Sequence, residues 1–379
     1  MSFSAGRRRG NRLIFGVLGD GERERVYFTV PRDFYAHNDS IAACLATLCA
    51  SGYETLEFQF PISERCRTEI ARRNKVTVLA REPPIAERVP GQKIALSFSG
   101  GLDSLGAYQM APEHLIRIAV GFGGKWAPEE EFFQTLSPEV ICRTNLRIRG
   151  QPNHSTFMGA AALLYSDYLD LGGIGFGEIF ETRPWNYLLE PKRLKPKGFS
   201  AAGNYNATLT RGLTQLGTAQ MVRFYTSEET ARASIASSAL PGSEKFFRKQ
   251  LLVDVAAHAR GGPPPDFDNY WYPKRRLRFG RRFSIDFLTL YFLKTYGFQT
   301  VSRWMDGLEK VDRAMLAEAD LDWYLKYNPI FLEDLPPVLR STAQARMSRA
   351  GIDTFADSDW PHYLAVRSFL ATVHDFENK

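Results

Sequence analysis

Lys93-Ile94-Ala95-Leu96-Ser97-Phe98-Ser99-Gly100-Gly101-Leu102-Asp103-Ser104 is the stretch on which the reading of this chain turns. Residues 94–98 are short, apolar and β-compatible, which predicts a buried strand. Gly100 and Gly101 let the backbone turn sharply and approach a ligand with no Cβ in the way. Leu105, Ala107, Tyr108 and Met110 then suit a helix whose first turn holds Asp103 and Ser104. Free N–H groups and the positive end of the dipole make such a helix N-terminus a site for anions. Ser99 and Ser104 add hydroxyl donors. Asp103 is the odd member, because a carboxylate beside phosphates repels them unless a cation lies between. It therefore implies Mg²⁺, a hard ion held by carboxylate, water and phosphate oxygens. The plain alternative is an ordinary strand–turn–helix corner.

Working outward, the pattern alternates. Residues 115–120 read as a second strand, ending in Gly121-Phe122-Gly123-Gly124, and residues 140–146 as a third. Residues 157–169 predict an Ala- and Leu-rich helix, and residues 174–177 a short fourth strand. This alternation predicts an α/β fold with a doubly wound parallel sheet. Ligands bind at the carboxyl ends of such strands. The glycine loop and residues 121–124, 144–147 and 177–181 would then share one edge. Residues 1–90 read as a small α+β region, in which Asp39-Ser40 caps a helix and residues 82–91 form a Pro-rich linker. The basic segment 2–12 is expected to fray. Residues 91–240 would be the nucleotide-binding domain, and residues 241–379 a helical region that includes helices at 283–296 and 304–325.

The hexapeptide Ser99-Gly100-Gly101-Leu102-Asp103-Ser104 resembles the SGGxDS loop of the PP-loop ATP pyrophosphatases, a HUP-like superfamily. That superfamily includes the synthetases for asparagine, GMP, NAD and argininosuccinate, tRNA-modifying enzymes and 7-cyano-7-deazaguanine synthase. The layout over about residues 55–185 is similar to relatives of the last. The resemblance implies ATP and Mg²⁺ as cofactors and adenylation of a carboxylate or carbonyl oxygen, followed by attack of a nitrogen nucleophile. It implies a nucleotide-binding set of Ser97, Ser99, Gly100, Gly101, Asp103, Ser104, Gly121 and Phe122. Asp103, as the Mg²⁺ ligand, and Ser104 would be catalytic. Asn145, Arg147 and Glu178 would face the substrate, with Glu181, Lys125 and His154 as further polar candidates; the first five could equally be ordinary loop residues, and for His154 a helix-start histidine without a catalytic role is the preferred reading. The chain departs from 7-cyano-7-deazaguanine synthase in having no cysteine after Cys142, so that enzyme's four-cysteine zinc site is not expected here.

Composition narrows the classes. The chain has 379 residues, 44% of them hydrophobic and 24% charged, as in an ordinary globular protein. A net charge of +6 favours an anionic substrate without requiring nucleic acid. No run is apolar enough to suggest a membrane span or a signal peptide. Cys44, Cys49, Cys66 and Cys142 show neither CxxC nor zinc spacing, which points to reduced thiols and a cytoplasmic location. Residues 274–282 carry six cations, preceded by Tyr270-Trp271-Tyr272. A solvated face is the simplest account of that run; nucleic acid is admitted as a partner but not favoured. The expected partners are ATP and a small molecule, with a homodimer possible. A tRNA-modifying enzyme and a non-catalytic nucleotide-binding subunit are the alternative functions.

Overall fold

The computed structural model describes residues 1–19, 21–49, 53–146, 157–182, 199–236 and 239–374. The chain divides into two compact units. One takes in the described parts of residues 1–100, 112–176 and 194–208, the other those of 101–111, 177–193 and 209–379. The units are thus interleaved in sequence.

The first unit holds two sheets. Its N-terminal sheet uses β1 (Ser2–Phe3), β2 (Arg7–Arg9), β3 (Arg12–Gly19), β4 (Glu22–Thr29), β5 (Thr55–Phe58) and β6 (Thr77–Ala80). β3 and β4 form a hairpin in register from Arg12 opposite Thr29 to Gly19 opposite Glu22. β1 lies between β3, antiparallel, and β5, parallel. The expected fraying of the N-terminus is therefore wrong. Phe3 is fully buried, and the Met1 ammonium donates to the Thr55 carbonyl at 2.8 Å. Two paired residues are too few for hydrophobic alternation to reveal.

Helices α1 (Asn38–Ala46) and α2 (Glu64–Asn74) belong to this region. Ser63 caps α2, as its type suits, by accepting from Cys66 N at 3.1 Å. His37 rather than Asp39-Ser40 caps α1, because Asp39 is turned inward to accept from Ser63 N at 2.8 Å.

The second sheet is wholly parallel. It contains β7 (Lys93–Ser97), β8 (Leu115–Gly121), β9 (Val140–Arg143), β10 (Leu171–Gly175) and β11 (Tyr205–Asn206), in the order β11-β10-β7-β8-β9. The chain enters at the middle strand, builds outward through β8 and β9, then returns to the other side of β7. All the carboxyl ends share one edge. Between these strands in sequence come α4 (Ala127–Thr135) and α5 (Ala160–Leu164) of this unit, and α3 (Leu102–Met110), which belongs to the second unit. α5 is shorter than the helix expected over 157–169, since turns flank its five residues.

One apolar core serves both sheets, joining Phe3, Phe15, Phe28 and Phe58 to Ala95, Ile118, Leu163 and Leu171. The sheets also meet through a bridge between Phe28 and Thr144, and through Tyr165 Oη donating to Thr29 O at 2.7 Å. Arg88 lies in the segment expected to be a linker, yet it is only 5% exposed. Its guanidinium donates to Asp167 Oδ1 at 2.8 Å and to the carbonyls of Ser166, Leu171 and Ala202 at 3.1, 2.6 and 2.7 Å. A buried charge needs this degree of pairing.

The second unit combines α3 with α6 (Gln215–Tyr225), α7 (Glu228–Ala236), α8 (Glu244–His258), α9 (Phe283–Val301), α10 (Arg313–Glu318), α11 (Pro337–Arg349) and α12 (Asp359–Val373). Aromatic rings fill its centre: Phe287 packs on Tyr324 with centroids 5.2 Å apart, and Trp323 on Tyr363 at 5.3 Å. α9 extends past the expected 283–296 and kinks at Gly297, where φ is 80°. The expected helix over 304–325 is instead a series of short pieces. These include β13 (Met305–Asp306), which pairs in parallel with β12 (Leu277–Arg278). Among the described residues no helix is long and apolar enough to cross a membrane.

Candidate functional site

β7 ends at Ser97, and Phe98 N extends its ladder by donating to Ile118 O at 2.9 Å. Ser97 is 8% exposed and its hydroxyl donates to Met158 O at 2.6 Å. Gly100 has φ of 73°, a conformation L side chains rarely adopt, and a Cβ there would meet the Phe132 ring at 2.9 Å. Glycine is thus required at this position by both torsion and space. Gly101 is extended and is the N-cap of α3, with no side chain to accept from the first-turn N–H groups. The boundary between the two units falls between these two glycines. Ser104 is buried, and its hydroxyl turns back to Gly101 O at 3.1 Å. At Gly177 a Cβ would lie 2.5 Å from Ser104 N and 2.6 Å from Asp103 C, so backbone packs directly on the first turn of α3.

Asp103 is half-buried, and its Oδ1 accepts from the Thr218 hydroxyl at 3.1 Å. Thr218 stands one turn into α6. At the start of that helix, Gln215 N donates to both carboxylate oxygens of Glu181 at 3.0 Å. Tyr324 Oη also donates to Glu181 Oε1. Thr214 caps α6 by accepting from Gly217 N at 3.0 Å and donates to Tyr324 O at 2.9 Å. Glu181 is fully buried. Burial pushes its carboxyl up to about 7; the bonds from Tyr324 and Gln215 oppose the rise, and the nearby charge of Asp103 adds to it. The second unit therefore places two acids of different character within one network. Asp103 is partly accessible, while Glu181 is enclosed and keeps its proton to near neutrality.

Among the described residues no three or more His, Cys, Asp or Glu side chains gather in a way that could hold a metal ion. A protein cage is thus not what Mg²⁺ would find. Asp103 does fit Mg²⁺ in its other habit, one carboxylate plus substrate phosphates.

The remaining sequence candidates separate. Gly121 closes β8, and a Cβ there would lie 2.6 Å from Glu130 Oε2, which belongs to an ion pair with Arg143 at 2.6 Å. Phe122 stacks on Phe157 with centroids 5.1 Å apart. Asn145 spends its amide on the N-terminal hairpin: Oδ1 accepts from Tyr27 N and Nδ2 donates to Arg25 O, both at 2.9 Å. It clamps β4 to the end of β9 in the manner of a ladder residue. Glu178 is buried at 7% exposure, and its carbonyl accepts from Thr210 at 2.8 Å. Arg147, His154 and the Lys125 side chain lie outside the described residues. All four cysteines are buried and none forms a disulfide; burial pushes the Cys142 thiol up to about 12.

Thr218, Gln215 and Tyr324 are the site residues that sequence reading missed. The available signal was the spacing of Thr214, Gln215 and Thr218 on one face at the start of α6. No family model, no curated protein and no solved structure matches this chain.

Proposed function

We propose that this chain is an ATP-dependent enzyme of the PP-loop type, activating a carboxylate or carbonyl oxygen of a small substrate as its adenylate and releasing pyrophosphate. On this reading the five-stranded parallel sheet is a doubly wound nucleotide-binding sheet. The observation that carries the reading is the position of Ser99-Gly100-Gly101-Leu102-Asp103-Ser104. The hexapeptide follows β7, where the strand order reverses, and opens α3. Open α/β sheets bind ligands in the crevice at such a reversal, and helix N-termini take phosphate.

The phosphates would lie against the first turn of α3 and the hydroxyl of Ser104. Asp103 and phosphate oxygens would hold Mg²⁺, which when bound neutralises charge developing on the leaving pyrophosphate. Thr218 orients Asp103 through its hydroxyl. Glu181, protonated up to about pH 7, limits the negative charge behind Asp103. The substrate oxygen bonds to the α-phosphorus as the bond from that phosphorus to pyrophosphate breaks. A nitrogen nucleophile then displaces AMP. Donors fixed before the reaction lower its barrier because they need no reorganisation.

The test is to incubate the protein with ATP, Mg²⁺ and a panel of carboxylates. Substrate-dependent AMP and pyrophosphate support the reading. Formation of ADP, or failure to bind ATP, refutes it.

A further inference from the structure

The basic run has no part in that chemistry, and its surroundings point to a different partner. Leu277 N donates to Trp304 O at 2.8 Å and Phe279 N to Asp306 O at 2.9 Å, which fixes β12 on β13. Phe279 is fully buried, and Pro273 is buried too. The inward residues thus anchor a segment whose cations are all exposed: Lys274, Arg275, Arg276, Arg278, Arg281 and Arg282. Arg276 pairs with Asp306 at 3.2 Å and Arg282 with Glu244 at 3.0 Å. Among the described residues Lys274, Arg275, Arg278 and Arg281 have no carboxylate within ion-pair distance. Lys310 adds a further cation, its Nζ 3.4 Å from where a Cβ of Gly280 would stand. Three residues before Lys274 in sequence, Trp271 is 66% exposed. Trp304 and Trp323, in the same unit, are 2% and 1% exposed and Trp360 is partly buried, so among the described tryptophans of this unit Trp271 is the one that stands open.

We propose that residues 271–282 form a docking surface for single-stranded nucleic acid. Unpaired guanidinium and ammonium groups bind backbone phosphates, and an open indole offers a stacking platform for a base. The two features together distinguish this partner. A duplex hides its base faces and would leave Trp271 idle, and an acidic peptide would use the cations alone. The proposal is independent of the nucleotide loop, so the two can fail separately.

Fluorescence anisotropy of labelled 20-mers of uridine and of deoxythymidine, titrated with the full chain over a range of NaCl concentrations, tests it. Binding of either strand is expected, and the stronger of the two identifies the sugar preferred. Replacing Lys274, Arg275 and Arg278 together by alanine should lower the salt slope by about 2, because each single-strand phosphate contact contributes roughly 0.7. Trp271→Ala should weaken binding about tenfold or more at fixed salt and leave the slope unchanged, while Trp271→Phe retains most of the affinity. No binding at low salt overturns the proposal. So does binding indifferent to Trp271→Ala, or equal affinity for a duplex or a polyglutamate peptide of similar length.

Discussion

Glu181→Gln exposes the energetic consequence of the buried acid. The carboxyl is raised from 4.5 to about 7, chiefly by burial. At about 1.36 kcal/mol per pH unit, that corresponds to about 3 kcal/mol between the two protonation states. The native state binds the proton more tightly than the unfolded chain, so protonation stabilises the fold. That contribution is complete below pH 4.5 and is lost as pH rises through about 7. Glutamine is neutral throughout and keeps one oxygen to accept from Tyr324 or Gln215. The difference in stability between variant and parent cancels every other titrating group and should move in the variant's favour by about 3 kcal/mol between pH 4.5 and 8. Urea denaturation at each pH, followed by tryptophan fluorescence, measures it. The signal reports largely on the second unit, which holds Trp271, Trp304, Trp323 and Trp360. Parallel stability profiles for the two proteins would show that Glu181 is ionised in the native state at neutral pH and would refute the reasoning.

Asp103→Asn keeps size and removes the charge that would hold Mg²⁺; AMP formation should fall at least about tenfold, more than about 1.4 kcal/mol in the barrier, and an unchanged rate would leave Asp103 a helix-end residue only. Gly177→Ala places a Cβ 2.5 Å from Ser104 N. That contact should cost about 1–3 kcal/mol of stability and weaken ATP binding in calorimetry of the folded variant, whereas parental affinity would separate α3 from the phosphates. Asn145→Ala leaves Tyr27 N–H and Arg25 C=O without their partner, and a loss of about 1 kcal/mol in urea denaturation is expected if the clamp is structural. A stable variant with impaired turnover would return Asn145 to the substrate side.

The parts of this molecule that were legible in its sequence are those set by local chemistry. Ile94, Ala95 and Leu96 announce a buried strand, and Gly100 and Gly101 a turn, because torsion and hydrophobicity act over a few residues. The helix starts at Ser63 and Ser243 follow from the same local chemistry, since both hydroxyls accept from N–H groups three residues on, although the one cap expected by name, Asp39-Ser40, gives way to His37. What escaped depends on distance along the chain. The β1 pairing rests on Thr55 and Val17, neither of which is a neighbour in sequence. Glu181 reads as a loop acid until Tyr324, 143 residues away, closes over it. The short pieces over 304–325 contain apolar residues at helix-like spacing, yet Gly307 adopts φ of 79° and Asp312 starts a new cap. Tertiary contacts there override the periodicity.

Arg88 changes what can be taken away from this protein. The Pro-rich stretch around it looks like a natural place to cut, and Val89 beside it is 84% exposed. Yet the guanidinium stitches Asp167 to the carbonyls of Ser166, Leu171 and Ala202, residues that flank or end strands of the parallel sheet. A chain begun at residue 91 would lose that stitch together with Phe3, Phe15 and Phe28 of the common core. The N-terminal region is therefore no detachable accessory. Trimming it for convenience should yield aggregates rather than a smaller folded protein, and any recombination that exchanges it must carry Arg88 and its acceptors as one inherited block.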